Sequence, residues 1–170
     1  MKAGSIKVVG IDPGLAGTGI GVVEGDARAL ARYSFGCVAT ASGDSLPFRL
    51  DTIYTRISAF LSDQCPDLVV IEDIYSLDKY PGSGILLGKV SGVLLVAAYR
   101  AGVRVEEIAV REAKKIVCGN GNADKFQMER SVRHFLNHPD PIRPFHASDA
   151  LGLAITGYFR YRKNDNDRIS

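Results

Sequence analysis

Two short runs rich in β-branched residues, IKVVGID and LVVIE, end in the acidic residues Asp12 and Glu72. Apolar runs of this length predict strands that are buried on both faces of a sheet. Ligands and metals gather at the carboxyl ends of such strands, so we expect both carboxylates at a functional edge. The pattern therefore restricts the chain to an α/β architecture with acidic side chains at the strand ends.

The rest of the chain alternates between strand and helix patterns. The first three strands are separated by short turns, and they predict an antiparallel meander whose glycines allow close backbone approach near Asp12. We predict one α/β domain over residues 1–170, with a five-stranded mixed sheet, helices on both faces and a frayed tail at 162–170. Strands are predicted at 6–12, 17–23, 31–39, 67–73 and 103–108, and helices at 48–61, 85–100, 111–118, 123–136 and 147–160.

The bulk composition is that of an ordinary globular domain. The net charge of +2 is too small to argue for nucleic acid by itself, and local clustering matters more than the sum. The three cysteines have no CxxC spacing, so they predict neither a disulfide framework nor a zinc site. Asp12-Pro13-Gly14 interrupts the first apolar stretch, which therefore does not match a signal peptide. We expect a cytoplasmic protein.

Two more metal-competent side chains open the segment HASDALGLAIT. His146 and Asp149 are three residues apart, so on a helix they lie on one face and point at one target. With Asp12 and Glu72 they would make a site for hard divalent cations, which use carboxylate ligands in phosphate chemistry. Magnesium is the expected ion, and manganese is also compatible because it accepts histidine more readily.

Each of these residues also has a structural interpretation. Asp12 before Pro-Gly is a common turn former, and Glu72 could serve in a buried ion pair. Asp149, or Ser148 before it, could cap the following helix. The sequence leaves these alternatives open, although a glutamate that ends an apolar run is better explained as a ligand.

Basic residues surround the turn Gly119-Asn120-Gly121. Arg111, Lys114 and Lys125 suit contacts with phosphates, which position a nucleic acid without reading its sequence. The alternative is an ordinary solvated face, because nearby acidic residues partly offset the charge. Tyr75 follows shortly after Glu72 and is a candidate for stacking on a base.

The segment SGILLGKVSGVLLVAAYRAG is apolar almost all round, so a helix here must be covered on more than one side. Lys89 and the glycines make it a poor membrane span, and no membrane association is expected. It lies either deep in the core or in a homodimer interface. A two-fold dimer would present two identical sites to a symmetric substrate.

Six motifs occur in an order that closely resembles the RuvC family of Holliday-junction resolvases: GIDPGLAGTGIGVV, RLDTIYTRI, PDLVVIEDIY, LLGKVSGVLLVAA, REAKKIVCGNGNADKFQM and ASDALGLAIT. The resemblance covers roughly residues 6–160. It implies a ribonuclease H-like fold, a homodimer, and divalent-metal hydrolysis that places paired symmetric nicks in four-way DNA junctions. It also implies a branch-migration motor as a partner in DNA recombination and repair.

The resemblance assigns roles to particular residues. The acidic positions of the family fall on Asp12, Glu72 and Asp149, and a fourth position, acidic in many members, falls on His146. The aromatic residue that the family inserts into DNA matches Tyr75. The catalytic and metal-binding set is therefore Asp12, Glu72, His146 and Asp149, and the DNA-binding set is Tyr75, Arg111, Lys114 and Lys125.

Our mechanistic hypothesis is that two metal ions bridged by Asp12 would activate a water molecule and stabilise the leaving 3′ oxygen during in-line attack on a phosphodiester. Two alternatives remain open from the sequence. One is a protein that binds four-way junctions without cutting them, in which His146 marks an impaired site. The other is a related ribonuclease H-like nuclease that acts on other branched DNA.

Overall fold

The computed structural model describes residues 4–26, 28–74 and 81–169, which form a five-stranded mixed sheet with helices on both faces. This confirms the predicted α/β, ribonuclease H-like class. The elements in chain order are β1 (Ile6–Asp12), β2 (Gly17–Gly25), β3 (Leu30–Ala39), α1 (Leu46–Gln64), β4 (Leu68–Asp73), α2 (Pro81–Arg100), β5 (Arg104–Ala109), α3 (Val110–Cys118), α4 (Lys125–Phe135) and α5 (Phe145–Ile169).

The strand order in the sheet is β3-β2-β1-β4-β5. The first three strands pair antiparallel, as the meander prediction required. Strand β4 pairs parallel with β1, and β5 pairs parallel with β4. Because β1 and β4 are parallel neighbours, their carboxyl ends lie at the same edge of the sheet.

Alternate residues of the strands face two separate cores. Val9 of β1 and Val69 of β4 pack against α1 and α2 on one face. Val8 and Leu68 pack against α3, α4 and α5 on the other face. Since side chains alternate along a strand, Asp12 lies on the same face as Val8, which is the face that α5 covers.

Helix α5 lies directly on β1 and β2 because three strand positions carry no side chain. A Cβ atom added to Gly10 would lie 2.0 Å from the Ala150 carbonyl oxygen, and one added to Gly19 would lie 2.0 Å from the His146 carbonyl oxygen. At Gly21 the added atom would lie 2.4 Å from the backbone nitrogen of Leu151. The glycines therefore set how closely the start of α5 approaches the sheet, as the sequence predicted.

Three helices are clearly longer than the sequence predicted, and the first of them, α1, spans Leu46–Gln64 rather than 48–61. Helix α2 begins at Pro81 rather than near residue 85, since proline fits the first position of a helix. Helix α5 runs from Phe145 to Ile169 rather than from 147 to 160, and fraying of the tail at 162–170 stays a prediction. After Gly157 the chain contains no glycine or proline that would end the helix.

Helix α2 buries one side and exposes the other. Val90, Leu94 and Ala98 are fully buried against the sheet and α1. The opposite side carries an apolar stripe that includes Ile85, Val96 and Tyr99, and Tyr99 is 83% exposed. Residues 82–100 are long and apolar enough to span a membrane by composition alone, but a helix that packs on a protein core passes the same test.

Replacing Gly19 by alanine tests the contact between the helix and the sheet. The added methyl group would overlap the backbone of α5 at His146, so we expect a loss of about 1–3 kcal/mol of folding stability. Catalytic activity should fall more steeply than stability, because His146 and Asp149 would move away from Asp12. Denaturant titration and a nuclease assay measure the two effects.

Gly36→Ala is the matched control, because a Cβ atom at Gly36 in β3 meets nothing within 4 Å. Its stability and activity should stay near those of the unmodified protein. If Gly19→Ala behaves like Gly36→Ala, the close approach of α5 does not constrain the site.

Candidate active site

The sheet places the first two candidate residues side by side. Ile11 of β1 pairs with Ile71 of β4, so the next residues, Asp12 and Glu72, are neighbours at the carboxyl ends of adjacent parallel strands. Both side chains lie on the face covered by α5, and a hydrogen bond joins the two carboxyl groups. Asp12 is 7% exposed, which fits a ligand or catalytic group better than a simple turn former.

The first turns of α5 bring the other two residues to this pair. His146 Nδ1 lies 2.5 Å from Asp12 Oδ2, and Asp149 is close enough to Glu72 to raise the pKa of that carboxyl group. The alternative role of Asp149 or Ser148 as a helix cap is wrong, because α5 already begins at Phe145. The four residues predicted from the sequence are therefore one cluster.

The carboxyl groups of this cluster are crowded and partly removed from water. The pKa of Glu72 is raised to about 8, first by burial and then by the charge of Asp12 and their hydrogen bond. Lys114 lowers the same pKa but does not cancel these effects. A carboxyl group that keeps its proton near neutral pH indicates that the positive groups around the site do not balance its negative charge.

The other two members titrate in the same environment. The pKa of Asp149 is raised to about 6 by burial and by Asp12, while His146 and Lys114 act in the opposite direction. The pKa of His146 is raised mainly by its hydrogen bond to Asp12, against the effect of burial. Lys114 is therefore close enough to the cluster to lower the pKa of Asp149 as well as that of Glu72. Its contact with a phosphate stays a prediction.

Three carboxylates and an imidazole suit a divalent cation. Such an ion would supply the positive charge that Lys114 supplies only in part, and it would displace the proton from Glu72. Within the described ranges, no three His, Cys, Asp or Glu side chains are already arranged around one point.

Three of the four predicted DNA-binding residues, Arg111, Lys114 and Lys125, lie on α3 or at the start of α4. Arg111 lines an open groove of about 860 Å³ together with Lys115 and Gly121, and its guanidinium donates to Asn122 Oδ1 at 3.1 Å. Lys125 begins α4, and its Nζ lies 5.0 Å from the ring centre of Phe145, which precedes His146. Tyr75, the predicted stacking residue, lies outside the described residues.

Several side chains near the cluster were not singled out from the sequence. Phe126 and Phe145 form an edge-to-face pair beside Lys125, and Arg143 lies over the ring of Phe145. The signal was present as aromatic residues next to basic ones in DKFQ and IRPF. Cys37 is also near, because Asp12 contributes, after burial, to raising the pKa of its thiol.

A mixed sheet of this order with a cluster of carboxylates at the ends of β1 and β4 defines a ribonuclease H-like nuclease. The family model described as Crossover junction endodeoxyribonuclease RuvC matches residues 8–157. The RuvC of Yersinia enterocolitica is 38% identical over 149 residues, covering 88% of this chain and 84% of the relative. The RuvC of Prosthecochloris aestuarii is 34% identical over 148 residues, covering 87% of this chain and 79% of the relative.

Solved structures agree with the sequence comparison. Thermus thermophilus RuvC is 30% identical to this chain and superposes on it with a TM-score of 0.79. The match covers 94% of this chain and 97% of the Thermus thermophilus chain. The same protein in complex with Holliday junction substrate gives a TM-score of 0.81 over 94% of this chain and 96% of its own. The chain belongs to the RuvC family of crossover junction endodeoxyribonucleases.

The raised pKa of Glu72 predicts how the stability of the metal-free protein depends on pH. The carboxyl group is protonated in both the folded and the unfolded chain below about pH 4.5, and ionised in both above about pH 8. Between these values the folded chain holds the extra proton, so the contribution of Glu72 to stability falls as pH rises. Thermal unfolding in chelator from pH 5 to 8 measures this slope.

Glu72→Gln should flatten the slope, whereas Glu107→Gln, at an exposed position on β5, should leave it in place. Magnesium should raise the unfolding temperature more at pH 8 than at pH 5, because fewer protons compete with it. Equal slopes for Glu72→Gln and the unmodified protein would show that Glu72 does not retain a proton.

Proposed function

We propose that this protein is a metal-dependent endodeoxyribonuclease that resolves four-way DNA junctions by paired symmetric nicks during recombination and repair. The observation that carries the proposal is the convergence of Asp12, Glu72, His146 and Asp149 from β1, β4 and α5 into one cluster. Membership of the RuvC family supports it, and so does the likeness to a relative whose structure contains Holliday junction substrate.

Each residue of the cluster has a chemical role in this proposal. Asp12, Glu72, Asp149 and His146 would hold the divalent cation, with Asp12 at the centre because it contacts both Glu72 and His146. When bound, the metal would activate a water molecule and neutralise charge on the scissile phosphate. We infer two ions per site, with magnesium as the physiological metal and manganese able to replace it.

Other residues would contact the DNA rather than the metal. Lys114, which is near enough to affect Glu72 and Asp149, would offset charge on the phosphate as it develops during attack. Arg111 and Lys125 would contact phosphates on either side and position the strand. Tyr75, by its position shortly after Glu72, would enter the junction and stack on a base.

The partners follow from the substrate. A four-way junction has two-fold symmetry, and paired nicks require two active sites in a fixed relation. We propose a homodimer formed by the apolar stripe of α2, which leaves each carboxylate cluster free for one strand. A branch-migration motor is the further proposed partner, and the cytoplasm is the proposed location.

Asp12→Asn separates binding from cleavage. Removing one negative charge that faces the phosphate should abolish nicking and leave junction affinity unchanged or higher. The assay compares a mobile synthetic four-way junction with a linear duplex of equal length, in magnesium, in manganese and in chelator. Asp140→Asn, at an exposed site in the loop before α5, is the control and should cut normally.

The outcomes of this assay distinguish the alternatives. Symmetric nicks that need metal, occur in the junction and are absent from the duplex support the proposal. Tight junction binding without nicks in either metal favours the protein that binds without cutting. Faster cutting of flaps or nicked duplexes than of junctions favours a nuclease for other branched DNA. Undiminished cleavage by Asp12→Asn would refute the assignment of the site.

The proposed dimer predicts the effect of charge on the exposed stripe of α2. Ile85, Val96 and Tyr99 follow the spacing of one helix face, and Val96 is 49% exposed. Val96→Asp should convert the dimer to a monomer, because an unpaired carboxylate would be buried at the interface. Sedimentation velocity measures the change, and junction binding should lose its two-site character.

Phe48→Asp is the control, because Phe48 is 59% exposed at the start of α1, outside this stripe. It should leave the oligomeric state unchanged. A Val96→Asp protein that sediments like the unmodified dimer would show that another surface forms the contact.

A further inference from the structure

A cluster of aromatic and basic side chains follows the carboxylates in the fold, and of its members the activity proposed above uses only Lys125. We name it the aromatic platform: Lys125 and Phe126 at the start of α4, with Arg143 and Phe145 at the start of α5. The two phenylalanine rings are 5.1 Å apart and nearly perpendicular, at 84°. Lys125 Nζ lies 5.0 Å from the centre of Phe145 and 5.5 Å from that of Phe126.

The cations cover one ring more than the other. Arg143 stacks on Phe145, with its Cζ 4.2 Å from the ring centre, and Lys125 also lies over this ring. Phe126 remains 57% exposed, although a phenylalanine of this size would gain from burial. The platform therefore presents one exposed aromatic ring, that of Phe126, next to Lys125 and to the ring that Arg143 covers.

The platform is held rigidly in place. The Asp124 side chain caps α4 by accepting from the backbone nitrogens of Phe126 and Gln127, both at 2.8 Å. Glu129 of α4 accepts from the backbone nitrogen of Ile142 at 2.9 Å, which ties the segment before α5 to α4. Since the acidic group of Asp124 is used within the cap, it does not neutralise Lys125 by a direct ion pair.

The exposed ring of Phe126 and the nearby cations Lys125 and Arg143 match the aromatic base and the negative phosphates of an unpaired nucleotide. The base would stack on Phe126, and the flanking phosphates would contact Lys125 and Arg143. Bases of an intact duplex are stacked on each other and are not available for such a contact. The exchange point of a four-way junction is where strands leave one duplex and enter another, so unstacked bases are available there.

Distance supports the same occupant. Phe145 directly precedes His146, which contacts Asp12, so the platform begins one residue from the carboxylate cluster. The Phe145 ring in turn lies 5.1 Å from that of Phe126. A base on Phe126 would therefore belong to a strand that passes the carboxylate cluster.

We propose that the aromatic platform binds an unpaired base of the junction strand being cut, stacked on Phe126. This proposal rests on the proposed function and deepens it. The platform selects branched over linear DNA at each active site and aligns the scissile phosphate with the carboxylates. It is separate from Tyr75, which follows β4.

The alternative is that the platform binds no ligand and that Phe126 only packs α4 against Phe145. Phe126→Leu keeps an apolar side chain for packing but removes the aromatic surface, and Phe126→Tyr restores that surface. Phe48→Leu is the matched control, because Phe48 is a similarly exposed phenylalanine in the first turn of α1. Thermal unfolding of all three variants shows whether packing has changed.

The first measurement is binding by the full-length Asp12→Asn protein in magnesium, to a four-way junction and to a linear duplex, by fluorescence anisotropy. Phe126→Leu should weaken junction binding by about 10-fold, the size of one base–aromatic stack, and leave duplex binding unchanged. Phe126→Tyr should restore the preference for the junction. Phe48→Leu should match the parent protein on both DNAs.

The second measurement identifies the nucleotide. A 5-iodouracil base placed at successive positions near the exchange point forms a crosslink, on irradiation, with an aromatic side chain on which it stacks. Crosslinking to Phe126 from one or two positions beside the cleaved phosphate is the expected result. Crosslinks only to other residues, or from every position equally, would overturn the proposal.

Three further outcomes are decisive. If Phe126→Leu lowers thermal stability and affects junction and duplex binding equally, Phe126 is a packing residue and the platform proposal fails. If the unmodified protein cuts junctions normally while Phe126→Leu keeps full junction preference, the platform fails and the proposed function stands. If the Phe126 crosslink and the junction preference hold but no metal supports nicking, the proposed function fails and the platform stands.

Discussion

The contact between the start of α5 and the glycines of β1 and β2 determines the geometry of the whole site. Gly10, Gly19 and Gly21 remove the Cβ atoms that would otherwise hold the helix backbone away from the sheet. Interiors are packed too densely to absorb such atoms without movement. The close approach places His146 against Asp12, and the same helix carries Asp149 toward Glu72. A strand position without a side chain thus controls the positions of catalytic groups on another element.

This geometry has an electrostatic consequence. Carboxyl groups from β1, β4 and α5 are brought together in partial burial, which raises the pKa of Glu72 to about 8 and that of Asp149 to about 6. The fold tolerates the repulsion because packing elsewhere over-determines the positions of the strands and helix. The repulsion in turn favours a divalent cation, so the same interactions that destabilise the metal-free protein would strengthen metal binding.

The surface around the cluster is divided between two kinds of contact. On one side of the sheet, α2 exposes an apolar stripe with Val96 and Tyr99. On the other side, α3, α4 and α5 carry the groove along Arg111 and the rings of Phe126 and Phe145, which provide positive charge and aromatic surface. Because the two faces belong to opposite sides of one sheet, the proposed dimer contact and the proposed DNA contacts would use different residues.

The sequence by itself determined the α/β class, the five strands, and the acidic residues at their ends, because strand burial and helical spacing are written in local apolar patterns. The order of motifs also identified the family. Local patterns placed the start of α2 and the end of α5 less well, because helix ends depend on weak signals. Only the tertiary structure decided that Asp149 faces Glu72 rather than capping α5, and that Phe126, Phe145 and Arg143 form one platform. These facts depend on contacts between residues far apart in the chain. The distance between strand and helix determines those contacts, and no local sequence pattern encodes that distance.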